Sequence, residues 1–267
     1  MSNKKYFNFP ICLLNGFMNN TEAVCNDIIW FVIYAYCQYY DTDEDTACRY
    51  FGLNADGAEI PNMYVSRFSK IPQNIPYCGI DKEIIFEYKD SYKSDYDKAV
   101  LLAYLAIKSI LGEKPYYKLT NQRIIYNRMA GIDDKSELLP KEIAYYCTRS
   151  RFDNIKLELK TKWKVAIYAN HTRGMYISTK LDLVKLATIA EEKKLSTRKW
   201  LQKSIEEFAR KQALETISAR EEARGKPMED ERKNSTIENP TAGMRKPYLD
   251  YEDFPTGKGY NPEDLPF

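Results

Sequence analysis

His171 is the only histidine among 267 residues, so a catalytic triad or a histidine-bearing metal site would have to run through it. It stands in "NHTRG", Asn170–Gly174, a turn sequence with Arg173 two residues on, where phosphate contact or plain exposure suits it better than catalysis. "DTDED", Asp41–Asp45, begins like a calcium loop. The sixth position is Thr46 where glycine is required, and the twelfth is Gly52 where the bidentate glutamate belongs, so these acids read as charges at a helix start. No Walker loop, dinucleotide fingerprint or nucleophile elbow is present. The six cysteines (Cys12, Cys25, Cys37, Cys48, Cys78 and Cys147) show no Cys-x-x-Cys spacing and read as reduced core thiols. The chain is therefore expected not to be an enzyme, with no cofactor and no metal.

The chemistry the sequence does offer is cationic. Met1–Glu113 carries 10 Lys/Arg against 15 Asp/Glu, Lys114–Gln212 carries 22 against 11, and Ala213–Phe267 carries 8 against 12, so a net charge of +2 hides a strongly basic middle. Lysines neutralise phosphates and arginines also read base edges, so DNA is the expected partner. The candidate DNA-binding residues are Arg149, Arg151, Lys156, Lys160, Lys162, Lys164, His171 and Arg173. Nearby aromatics (Tyr145, Tyr146, Trp163, Tyr168 and Tyr176) offer stacking surfaces for single-stranded bases, although most of the 22 tyrosines belong to the core or its boundary.

Helices position the first of these residues. Thr21 is placed to cap an apolar helix over Glu22–Tyr40, and Asp43 to open a short one that Gly52 ends. "DKAVLLAYLAIKSIL", Asp97–Leu111, is the clearest helix, followed by Asn121–Ala130 behind Thr120 and by Lys141–Phe152 behind Pro140. The period then changes. In "IKLELKTKWKVAI", apolar residues or threonine alternate with Lys156, Glu158, Lys160, Lys162 and Lys164, which predicts a strand. Alternation resumes after the turn, so a long β-hairpin is expected from Ile155 to about Leu181. Two more helical stretches follow, the second capped by Ser196 or Thr197.

The expected fold class is α+β, mostly helical, with a winged-helix-like central domain carrying the long β-hairpin and a disordered C-terminal tail. The domains divide as a helical N-terminal domain, 1–94, a basic region with C-terminal helices, 95–224, and a flexible acidic tail, 225–267. The tail holds six of the twelve prolines and four of the eleven glycines. No secretory signal and no membrane-length apolar run is read, which makes the expected location cytoplasmic.

Two resemblances follow from these residues. The order helix, helix, helix, hairpin over Asp97–Leu183 resembles a winged helix. That implies a third helix bearing Arg149 and Arg151 in the major groove, and a wing with Asn170–Arg173 at its tip. The ten-residue connection from Gly131 to Pro140 departs from a compact helix-turn-helix. "KYFNFPICLLNGFMNN" followed by two helices suggests a second such unit, similar to the two-domain replication initiators of plasmids and phages. At the other end, "PEDLPF" resembles the docking tip of bacterial single-stranded DNA-binding proteins. The resemblance implies that Asp264, Leu265, Pro266 and Phe267 bind host replication or repair enzymes.

The functional expectation is a non-enzymatic DNA-binding protein of replication or recombination, phage- or plasmid-encoded, that recruits host enzymes through its tip. The alternatives are a single-stranded DNA-binding protein with a non-standard fold, and a phage structural or assembly protein with a wrapping tail. The tip yields a direct test. Burying a Phe side chain contributes roughly 1.5–3 kcal/mol, so deleting Phe267 is expected to abolish pull-down of host enzymes that recognise such tips. Equal capture of the intact and shortened chains would reduce the resemblance to coincidence.

Overall fold

A computed structural model describes residues 5–53, 59–72, 74–113, 115–133, 138–170 and 174–224. The described residues are mostly helical, with two small antiparallel sheets. No helix among the described residues is long and apolar enough to cross a membrane. Two compact units are present, Met1–Glu206 and Glu207–Phe267; the described part of the second is the end of a helix that reaches Arg224.

Strand β1 (Tyr6–Pro10) pairs antiparallel with β2 (Tyr77–Asp81), setting Phe7 opposite Ile80 and Phe9 opposite Cys78. The alternation of β1 buries both phenylalanines completely. After a 3-10 helix, Ile11–Leu14, comes α1 (Thr21–Tyr40). Its cap is Asn20, whose side chain accepts from the Ala23 N–H at 3.2 Å, while the Thr21 hydroxyl donates to the Phe17 carbonyl at 2.9 Å. Asp43 caps α2 (Glu44–Phe51) by accepting from the Thr46 N–H at 2.7 Å, and Gly52 ends it in the left-handed region. The contact from Thr46 holds the Asp43 carboxyl below its ordinary pKa, as a helix-start role requires. Short helices α3 (Asn62–Phe68) and α4 (Lys82–Asp90) flank β2.

Helix α5 (Asp95–Leu111) begins two residues before the expected start, because Ser94 caps it through the Asp97 N–H at 3.1 Å. Ala99, Leu101, Leu102, Ala103, Leu105, Ala106 and Ile107 are fully buried, so most of its circumference is core. Then come β3 (Lys118–Thr120), α6 (Gln122–Met129), α7 (Lys141–Tyr146) and α8 (Arg149–Thr161). The cap of α6 is Asn121, not Thr120, and the single helix expected over Lys141–Phe152 is two helices separated at Cys147–Thr148.

The long hairpin expected from Ile155 to about Leu181 is not formed. Residues 155–161 are helical, and the hairpin is only β4 (Ala166–Asn170) with β5 (Gly174–Ser178). Phe152, Ile155 and Leu159 recur at helical spacing and are fully buried. Exposed Leu157 is the one apolar position of the apparent alternation in this stretch that the core does not take. The helix ends where Lys164 adopts φ 55° and the Val165 N–H turns back to the Leu159 carbonyl at 3.0 Å. β5 lies between β3 and β4, giving the order β3-β5-β4.

This sheet has two packed faces. Ile167, Met175 and Ile177 join the main core, which extends from Phe7 to Ile177 in sequence. Ala166 and Tyr176 pack instead with Leu186 and Ala190 of α9 (Leu183–Arg224). The two helices expected after the hairpin are one. The Thr197 hydroxyl donates to the Lys193 carbonyl at 2.9 Å inside α9 and caps nothing.

Gly131 joins the 3-10 helix to the end of α6. At φ 73°, a Cβ there would meet the Asn15 nitrogen and the Ile11 carbonyl oxygen, each at 2.9 Å. Gly16 also has a positive φ, 79°, but open space around it. Gly131→Ala is therefore expected to lower unfolding free energy clearly more than Gly16→Ala, which should cost only the left-handed penalty of about 1–2 kcal/mol. Urea denaturation of the two variants measures the difference, and equal effects would mean that the close approach at Gly131 relaxes without cost.

Candidate nucleic-acid interface

Helix α8 is held by one face. Phe152, Ile155 and Leu159 enter the core, with Phe152 edge-on to Tyr126 at 4.8 Å. Burial pushes the Tyr126 hydroxyl up to about 12, so that ring stays neutral. Everything else on α8 is placed by its angle from that face.

Arg149, Lys156 and Lys160 are spaced i, i+7, i+11, which at 3.6 residues per turn puts them within roughly 40° of arc on one flank. Beside that flank is a surface groove lined by Asn121, Gln122 and Arg123 at the start of α6, Lys156, and Ala169, Gly174 and Met175 of the hairpin. The groove thus joins the α6 N-terminus, where the Asn121 side chain accepts from the Ile124 N–H at 2.9 Å, to the cationic flank of α8. Lys156 is paired with Asp153 at 2.5 Å, which tempers its charge. Among the described residues, Arg149 and Lys160 have no ion-pair partner and are exposed.

The remaining candidates divide differently. Arg151 donates from Nη1 to the Tyr145 carbonyl at 2.9 Å, and its guanidinium lies 3.5 Å from the centre of the Tyr145 ring. It binds α8 back onto α7 and is not presented outward for a base. Lys162 projects from the opposite flank and pairs with Glu158, whose hydrogen bond raises the lysine pKa above its ordinary value. There it lines a second groove that also holds Glu87, Asp97, Glu158 and Lys93, where three carboxylates outnumber two lysines and both lysines are ion-paired, a setting less suited to phosphate than the first groove. Lys164 is exposed at the turn into β4. The expectation that Lys156, Lys160, Lys162 and Lys164 share one strand face is overturned, because the helix sets Lys156 and Lys160 on one flank and Lys162 at its C-terminal end on the other, while Lys164 lies in the turn beyond it. His171 and Arg173 lie outside the described residues, as do Asp264, Leu265, Pro266 and Phe267.

The aromatic residues are engaged elsewhere. Tyr176 is buried, the Tyr168 hydroxyl donates to Glu191 at 2.7 Å, and Trp163 packs against Tyr104 with ring centres 4.3 Å apart. The hairpin strands, "AIYAN" and "GMYIS", carry no lysine or arginine. The basic hairpin face on which a single-strand reading relied is therefore not formed.

Arg123 lines the first groove and is not among the residues expected from the sequence. Its signal was available: Asn121 is a strong helix cap, and a cap two residues earlier puts Arg123 in the first turn of α6. All six cysteines are free, and burial pushes the Cys25 and Cys147 thiols up to about 12, leaving both protonated and unreactive near neutrality. No protein-family model, curated protein or solved structure matches this chain.

The turn at Lys164 separates conformation from charge. A lysine in the left-handed region costs about 1–2 kcal/mol relative to unstrained backbone, and glycine adopts that region freely. Lys164→Gly is expected to raise stability by about 1 kcal/mol, net of the greater flexibility of glycine in the unfolded chain. A thermal melt that shifts downward would show that the Lys164 side chain stabilises the turn by another route.

Proposed function

We propose that the chain is a non-enzymatic DNA-binding protein of replication or recombination whose α5–β5 segment works as a winged helix on duplex DNA. The observation that carries this reading is the cationic flank Arg149–Lys156–Lys160 on a core-anchored α8, lying beside the α6 N-terminus and the hairpin. The order α5, β3, α6, α8, β4, β5 with strand order β3-β5-β4 supports it, since a winged helix places its strands and its third helix in that sequence. In this reading the third helix is α8. The additional short α7 fills part of the long connection after α6.

Physical roles follow from position. Arg149 and Lys160 neutralise phosphates along one rim of the major groove, and Arg123 with the first N–H groups of α6 meets the backbone of the same strand. Arg151 acts by fixing the α7–α8 junction. The acidic tail ending in Asp264, Leu265, Pro266 and Phe267 recruits host replication or repair enzymes, a role assigned by its resemblance to the single-stranded DNA-binding tip.

Salt dependence distinguishes the two flanks of α8. Replacing Arg149, Lys156 and Lys160 together by Glu is expected to weaken duplex binding and flatten its log–log salt slope by about 0.9 for each phosphate no longer neutralised. Lys162→Glu, on the acidic flank, should leave the slope almost unchanged. Fluorescence anisotropy across a salt series measures both. A slope that responds to Lys162 and not to the triple variant would remove the α8 flank from the binding surface.

A further inference from the structure

The outward ridge of α8 differs in chemistry from its flank. Ser150, Asn154, Leu157 and Thr161 are spaced i, i+4, i+7, i+11 and fall within roughly 60° of arc facing away from Phe152, Ile155 and Leu159. None is charged, in the most basic part of the chain. Leu157 is 61% exposed, and among the described residues no hydrogen bond engages the Asn154 side chain. A neutral ridge with a cationic flank on one side, and the Lys162–Glu158 pair on the other, suits an occupant that meets it with one strongly charged rim and an uncharged floor. A duplex major groove is such an occupant, with phosphates at its edge and base edges between them.

We infer that Asn154 and Leu157 read adjacent A·T base pairs, Asn154 through adenine and Leu157 through the thymine methyl group. This rests on the reading of α8 as the helix that enters duplex DNA. An asparagine side chain carries one donor and one acceptor side by side, the complement of adenine N6–H and N7 in the major groove. A leucine side chain neither donates nor accepts, so the one feature of a base edge it complements is the thymine C5-methyl. Their separation along the helix is about 4.5 Å, close to the roughly 3.4 Å step between base pairs. Guanine would call for an arginine or a lysine on the ridge, and those of α8 are elsewhere: Arg149, Lys156 and Lys160 lie on the flank, Lys162 is paired with Glu158 on the opposite side, and Arg151 is held by Tyr145. Asp153, which could accept from cytosine, is committed to Lys156.

The test uses the full chain and three duplexes of one length, alternating A·T, alternating G·C, and alternating A·U in which the thymine methyl is missing. Equal length fixes the phosphate charge, so differences report base edges and duplex shape, and the two variants separate these, since only a loss of preference on side-chain truncation reports a base-edge contact. The intact chain is expected to bind the A·T duplex about 5- to 150-fold more tightly than the G·C duplex, with A·U between them. Asn154→Ala should lose most of the A·T preference while its affinity for G·C changes little. Leu157→Ala should bind A·T and A·U alike. A merely structural role for either residue would weaken all three duplexes together, and that outcome overturns the inference. So does equal binding of A·T and G·C by the intact chain, which leaves the functional reading standing. Absence of salt-dependent binding to any duplex overturns the functional reading and this inference with it. A change in oligomeric state caused by Leu157→Ala, with base preference unaltered, would mark the ridge as a protein contact and also overturn it.

Discussion

The burial of α5 is the constraint on which the rest of the first unit depends. A seventeen-residue helix with apolar residues around most of its circumference cannot remain in water, and no single neighbour can cover it. It is covered from several directions, by the β1-β2 ribbon and the 3-10 helix, by α6, by α8 and by the inner face of the β3-β5-β4 sheet. Its three fully buried alanines, Ala99, Ala103 and Ala106, leave room for neighbours to approach closely. The same core therefore includes residues from Phe7 to Ile177.

That arrangement orients the candidate interface. With Phe152, Ile155 and Leu159 committed to the core and to Tyr126, the rotation of α8 about its axis is fixed, and every other side chain on it is assigned a direction. One flank receives Arg149, Lys156 and Lys160; the other receives Arg151, Glu158 and Lys162. Local charge then separates these groups further. Lys162 sits with three carboxylates and Lys93, whereas Lys156, though paired with Asp153, sits in a groove with Arg123. The β3-β5-β4 sheet is packed on both faces, because α9 covers the side away from the core. Its tyrosines are therefore taken up in packing and in the bond to Glu191, and they are not a platform open to bases.

Much of the helical layout was legible in the sequence, since its signals are local. Asp43 and Gly52 delimit α2 and Pro140 precedes α7, each through the conformation or hydrogen bonding of that residue itself. The basic character of the middle third was equally visible. Caps were misplaced by one residue at α1 and α6, where Asn20 and Asn121 stand next to Thr21 and Thr120 and both residue types make good caps.

The sequence alone determined that over residues 155–165 apolar residues or threonine alternate with charged ones, that the segment is rich in lysine, and that a helix precedes it. It did not determine which period the segment would use. Ile155 and Leu159 satisfy a two-residue alternation and a helical face alike, and only Leu157 tells the two apart, by its burial or its exposure. The tertiary structure decided in favour of the helix, because Phe152, Ile155 and Leu159 on one helical face can meet α5 and Tyr126 together. A strand's faces alternate, so it would place Phe152 opposite to Ile155 and Leu159 and divide that contact. The direction of each lysine follows from that choice, and with it the division of the cations between a groove suited to phosphate and one occupied by carboxylates.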